Sequence, residues 1–135
     1  MLNQWEKGQK AEQLAADYLR EKGYGIWKSN WRSGKKEIDL AAIYKNELVI
    51  IEVKSMTGNL VNLPGAVVDR KKQRHIILAA DAFIRVQNWK GPTRFDVIAV
   101  RFSPRGVDFE HIENAFIPAI EPHHGASGNR FFHPL

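Results

Sequence analysis

Glu52 and Lys54 stand two residues apart in the run VIIEVKSM (49–56), among the β-branched residues Val49, Ile50, Ile51 and Val53. Side chains alternate across a strand, so this carboxylate and ammonium point to one side, about 6.5 Å apart along the backbone. Desolvating each costs several kcal/mol unless a partner offsets it. A second carboxylate, Asp39, lies in EIDLAAIY (37–44), whose alternation predicts a neighbouring strand. A tight turn at Lys45-Asn46 would join the two strands as a hairpin and bring Asp39 and Glu52 together at adjacent strand ends. Two close carboxylates repel, which raises the proton affinity of one. Mg²⁺, which takes oxygen ligands at about 2.0–2.1 Å and keeps several waters, would resolve that conflict. Lys54 would then orient or activate a water and stabilise developing negative charge. The plainer alternative is a Glu–Lys pair at a sheet edge, with Asp39 in a turn.

Two further features bear on this chemistry. Glu12 stands three residues before Ala15 and seven before Leu19, which puts it on the apolar stripe of a helix rather than the solvent face. It is either a boundary carboxylate reaching for solvent or a further acidic group leaning into the same site. The run DRKKQR (69–74) gathers Arg70, Lys71, Lys72 and Arg74 at a helix start, where cations oppose the macrodipole. Phosphate contacts would explain them; a solvated basic face is the alternative. Lys35 and Lys36 could extend the same patch. The five histidines form no zinc motif, and no glycine-rich phosphate loop is present.

The elements that must position these groups follow from periodicity. Residues 4–22 predict a helix carrying Ala11, Leu14, Ala15, Tyr18 and Leu19 on one face, stopped at Gly23. Strands are expected in 24–31, at 37–44 with Ile38, Leu40, Ala42 and Tyr44 on one face, and at 47–54. A basic turn centred on Gly34 joins the first two. Residues 55–65 read as a loop. A second helix begins in 64–69, with DRKKQR as a basic turn at its start, and runs to about 87. Ile76, Ile77, Ala80, Phe83 and Ile84 form its buried stripe, which Lys72 and Gln73 prolong toward the N-terminus. WKGPT (89–93) breaks it. RFDVIAVRF (94–102) and GVDFEHI (106–112) supply two more strands, with Arg94 and Asp96 placed to form a structural ion pair. The order helix, three strands, helix, two strands predicts an α/β domain over 1–117 with a mixed sheet. The stretch 118–135 lacks periodicity and reads as a disordered tail.

Composition narrows the function classes. At 135 residues the chain is long enough for one domain with a real core. It lacks an apolar run of the ~18 residues needed to span a bilayer, and its polar N-terminus predicts no signal peptide. The absence of cysteine excludes disulfides and thiolate chemistry and suits a reducing cytoplasm. A net charge of +5 is compatible with a polyanionic partner without requiring one.

Taken in order, the motifs resemble a known series. Gly8-x-x-x-Glu12-x-x-Ala15, Gly23-Tyr24, Asn30-Trp31-Arg32, KEIDL (36–40), IEVK (51–54), Lys72-Gln73-Arg74, Arg94–Val97 and His111–Phe116 match the YraN family of bacterial endonuclease-like proteins over residues 8–117. That family is similar to the PD-(D/E)xK nucleases and to archaeal Holliday-junction resolvases. The resemblance implies a restriction-endonuclease-like core, Asp39 and Glu52 as Mg²⁺ ligands with Mn²⁺ able to substitute, Lys54 as the catalytic lysine and Glu12 as an accessory acid. One departure is visible: Lys36 stands where the family has glycine, changing the turn beside Asp39 without removing a catalytic group. The function so implied is Mg²⁺-dependent DNA cleavage, on branched or damaged DNA, with Lys36, Arg70, Lys71, Lys72, Gln73 and Arg74 contacting nucleic acid. The alternative is a nucleic-acid-binding module that keeps the fold without the chemistry. A homodimer would suit a symmetric substrate, and no segment marks an interface for one.

Overall fold

The computed structural model describes residues 2–57 and 68–118. In chain order its elements are α1 (Gln4–Glu21), β1 (Gly25–Ser33), β2 (Lys36–Tyr44), β3 (Glu47–Thr57), α2 (Arg70–Gln87), β4 (Thr93–Ser103) and β5 (Gly106–Ile112). The strands form one sheet in the order β1-β2-β3-β4-β5. β3 and β4 are parallel and the other pairs antiparallel. Parallel neighbours need a crossover, and α2 lies in that connection. The result is the expected α/β fold, a mixed five-stranded sheet flanked by two helices, consistent with a restriction-endonuclease-like core.

Each face of the sheet buries one helix. α1 is fixed at its start by a capping box, in which Asn3 and Glu6 accept from each other's backbone N–H. It places Ala11, Ala15 and Leu19 against Leu40, Val49, Ile51 and Ile98. α2 places Ile76, Ala80 and Phe83 against Leu48, Ile50, Phe95 and Val97 on the other face. β3 is therefore covered on both sides, which is why its sequence reads as a continuous apolar run. The β2–β3 hairpin closes through Lys45 and Asn46, both at positive φ (49° and 65°), with Tyr44 paired to Glu47. That is the two-residue turn whose twist matches the strands it joins.

Three sequence expectations need correction. Ser55, Met56 and Thr57 are strand rather than loop, because β4 offers each a parallel partner up to Phe102 and that pairing overrides their turn-like composition. The rest of the expected loop and the expected tail from 119 onward lie outside the described residues. DRKKQR is not a turn: Asp69 caps α2 by accepting from the Lys72 N–H at 2.8 Å, and Arg70–Arg74 form the first helical turn. Finally, β2 does not alternate throughout. Ile38 packs with Ala41 on the α2 side, while Leu40 and Ala42 pack on the α1 side.

The strand rolls at Asp39, and the reason is visible on both flanks. Opposite Asp39 in β1 is Asn30, at φ 51°, between the pairs Ser29–Leu40 and Trp31–Ile38. Asparagine tolerates this left-handed backbone better than most residues. On the other flank, β2–β3 pairing ends at Leu40–Ile51. Where the next ladder bond would fall, the Asp39 side chain accepts from the Val53 N–H at 2.9 Å.

Candidate functional site

The splay of β2 from β3 creates the site. Continuing the register past Leu40–Ile51 places Asp39 opposite Glu52, but the carboxylate of Asp39 replaces the backbone acceptor and sits between the strands. Glu52 points to the α2 side, the side of Leu48 and Ile50 in the same strand. Lys54 follows on that side, its Nζ 3.6 Å from Glu52 Oε2. Lys72, one turn into α2, reaches the same oxygen at 3.5 Å. Glu52 is 8 % exposed and, with Asp96, is one of two charged residues buried among those described.

The electrostatics are strained in one direction. Burial, reinforced by the neighbouring Glu52 charge, pushes Asp39 up to about 7, although the Val53 N–H opposes the shift. A hydrogen bond from protonated Asp39 to Glu52 contributes to the same shift. Glu12 enters from α1, half-buried. Burial first, then the charges of Asp39 and Glu37, push it up to about 7 as well, against a smaller pull from Arg32. Its Oε1 is buried and accepts no hydrogen bond. Unpartnered buried oxygens are uncommon, since each loses its hydration without compensation. Glu12 and Glu52 thus approach Asp39 from opposite faces of the sheet, and the roll of β2 is what lets one aspartate serve both.

These groups have the chemistry of a hard-cation site. Among the described residues no three His, Asp or Glu side chains stand close enough to hold a metal ion as they are. The fit is instead that of two carboxylates plus waters, the usual set for Mg²⁺. The orphaned oxygen of Glu12 and the proton-loving Asp39 are what a nearby cation would relieve.

The other predicted residues divide by position. Gln73 turns inward, its Nε2 donating to the Val68 carbonyl at 2.9 Å. Arg70, Lys71 and Arg74 are exposed on the first turn of α2. Lys36 is exposed at the β1–β2 turn, paired with Ser33. Thus Lys72 joins the carboxylates, while the other basic residues stay on the surface.

A second polar cluster lies on the α1 face. Asp96, fully buried, receives Arg94 Nε and Nη2 at 2.8 Å each, His111 Nε2 at 2.7 Å and the Asn114 N–H at 3.0 Å. Arg94 also donates to the Tyr24 hydroxyl at 2.7 Å and pairs with Glu47 and Glu113. The expected Arg94–Asp96 pair is present. Sequence reading missed His111, Tyr24 and Asn114, although the alternation of β5 puts His111 on the face of Phe109.

A model of the family described as "Uncharacterised protein family UPF0102" matches residues 11–100. A UPF0102 protein of Phocaeicola vulgatus is 44% identical over 115 residues, covering 85% of this chain and 95% of its own. One of Porphyromonas gingivalis is 40% identical over 113 residues, covering 82% and 84%. Another, of Caldanaerobacter subterraneus subsp. tengcongensis, is 40% identical over 119 residues, covering 85% and 98%. The matches run through Asp39, Glu52, Lys54 and the first turn of α2.

Proposed function

The chain belongs to the uncharacterised protein family UPF0102, and from its site we propose that it is a divalent-cation-dependent nuclease cutting phosphodiester bonds in DNA. One observation carries the reading: Asp39 and Glu52 converge where β2 splays from β3, with Asp39 pushed up to about 7 by burial and by the carboxylate beside it. The motif E-I-D39 followed by E52-V-K54 on this fold agrees with the PD-(D/E)xK resemblance.

In this reading Asp39 and Glu52 hold Mg²⁺, or Mn²⁺ in its place. Such a cation supplies charge neutralisation at the phosphate and a lowered pKa for water. The Asp39 carboxylate is fixed by the Val53 N–H, so its geometry is set before substrate arrives. Lys54 Nζ, beside Glu52, is placed to stabilise negative charge on the phosphoryl oxygens and to orient the attacking water. Glu12, titrating near neutrality, is an accessory acid positioned to exchange a proton on the α1 side of Asp39. Lys72 neutralises Glu52 when no substrate is bound, and Arg70, Lys71, Arg74 and Lys36 contact flanking phosphates.

The test is cleavage of linear, single-stranded and branched DNA by purified protein with Mg²⁺ or Mn²⁺. Cutting is expected, falling by about 10²–10³-fold in Lys54→Ala and further in Asp39→Ala. Absence of activity on all three substrates, or full activity in Asp39→Ala, overturns the reading. The two lysines already neutralising Glu52 favour a second one, a nucleic-acid-binding module without chemistry. It predicts binding that weakens steeply with salt and no cation-dependent cutting.

A further inference from the structure

α1 extends beyond the core it packs on. Of its first seven residues, Gln4 to Lys10, none is buried, and Ala11 is the first buried residue of the helix. Within this overhang Trp5 and Gly8 lie seven and four residues before Glu12 on one stripe, which continues into Ala15 and Leu19. They occupy the core-facing side of the helix at a point where no described residue forms a core. Trp5 is 69 % exposed there, the most exposed aromatic or aliphatic side chain in the first helix.

Gly8 is the second observation. A glycine inside a helix lowers its stability relative to alanine. Glycine is usually kept at such a position because a neighbour needs the room. Here a Cβ on Gly8 would meet no described atom within 4 Å. Among the described residues nothing needs glycine at this place, whereas room for a ligand to approach the helix would. At the inner end of the stripe, Glu12 stands beside Asp39 with its Oε1 unpartnered. Alongside lies the β1–β2 turn, whose Arg32, Lys35 and Lys36 outnumber Glu37.

We infer that the stripe Trp5–Gly8–Glu12 is a track for an unpaired nucleic-acid strand leading into the carboxylate site. Trp5 stacks a base, since every base presents a π-face. Gly8 lets the sugar-phosphate backbone pass close to the helix, and the cationic turn faces that backbone. The seven residue steps from Trp5 to Glu12 span about 10 Å of helix axis, so the stacked base lies only a few nucleotides from the phosphate at Asp39. This inference rests on the nuclease reading and narrows its substrate to DNA with a single-stranded segment beside the cut, such as a frayed end, flap or branch.

The experiment measures binding of a short single-stranded deoxyoligonucleotide, and of the blunt duplex of the same sequence, to the full chain carrying Glu52→Gln. Trp5→Ala and Gly8→Leu are each expected to weaken single-strand binding about tenfold or more and to leave duplex binding unchanged. Trp5→Phe restores most of the loss. Melting temperature stays constant in Trp5→Ala and stays level or rises in Gly8→Leu, because leucine is the better helix former. Single-strand binding equal to the parent's in both variants overturns the inference. So does a dimer that Trp5→Ala dissociates without altering oligonucleotide binding, because the occupant is then a second copy of the chain. Parallel cleavage assays with Glu52 intact separate the two claims. Cutting with Trp5-independent binding removes the track alone, whereas Trp5-dependent binding without cutting removes the nuclease and leaves the track.

Discussion

Two aspartates on interior strands of the same sheet, Asp96 fully buried and Asp39 half-buried, meet opposite fates. Asp96 has four donors, and although burial alone would raise its proton affinity, the hydrogen bonds from His111, Arg94 and the Asn114 N–H hold it below the ordinary range. Asp39 has one backbone donor and a carboxylate neighbour, and it is pushed up to about 7. The difference lies in what surrounds them. A buried charge with complete partners ties segments together; one left short of partners is poised to bind something. Asp96 joins β4 to the residues after β5 through Asn114, and Arg94, which it holds, donates to the hydroxyl of Tyr24 just before β1. Asp39 instead separates two strands that would otherwise pair.

The contrast can be broken by mutation. Asp96→Ala leaves Arg94, 13% exposed, without its main counter-charge. It is expected to destabilise the fold by about 3–5 kcal/mol in urea unfolding, and a loss below about 1 kcal/mol would mean the network is dispensable. Asp39→Asn should act with the opposite sign. It removes the charge opposing Glu52 while keeping an acceptor for the Val53 N–H, so at pH 8 without divalent cations it should stabilise by about 1–2 kcal/mol. The same variant should lose cleavage, so stability and activity would part company.

The pH dependence of stability follows from the two shifts. Asp39 has its folded pKa above the unfolded value of about 3.9. Its contribution is therefore fully present below about pH 4 and is lost as pH rises through about 7. For Asp96 the folded pKa lies below the unfolded one, so its contribution is present above about pH 4 and is lost in acid. Mg²⁺ or Mn²⁺ should raise the melting temperature more at pH 8 than at pH 5, since ionised carboxylates would be the ligands. An equal rise at both pH values, or none, would count against a cation at Asp39. The smallest effect expected is Tyr24→Phe, which deletes the hydroxyl that accepts from Arg94 and donates weakly to Glu113, and should cost about 0.5–1.5 kcal/mol with cleavage unchanged. A large drop in cleavage with normal stability would join the two clusters functionally.

Several of these positions could be read from sequence because their causes are local. The Lys45-Asn46 turn has residues that tolerate positive φ, and a two-residue turn fixes the register that brings Asp39 level with Glu52. Glu12 is on the inner stripe because helical spacing puts it there. Arg94 and Asp96 pair because alternation places them on one face. The roll at Asp39 was not legible, since it depends on Asn30 in a different strand. Nor was Lys72's contact with Glu52, since a run of four cations around one glutamine reads alike along its length until the helix is docked.

The order of the elements, the β2–β3 turn and the carboxylates near the strand ends are legible in the amino-acid order, because each follows from neighbours within a few residues. That Asp39 serves two faces, that Asp96 is satisfied while Glu12 is not, and that Trp5 and Gly8 run on past the sheet depend on how the elements pack. Partner number and burial arise from segments far apart in the chain, and it is these that divide a structural charge from a poised one.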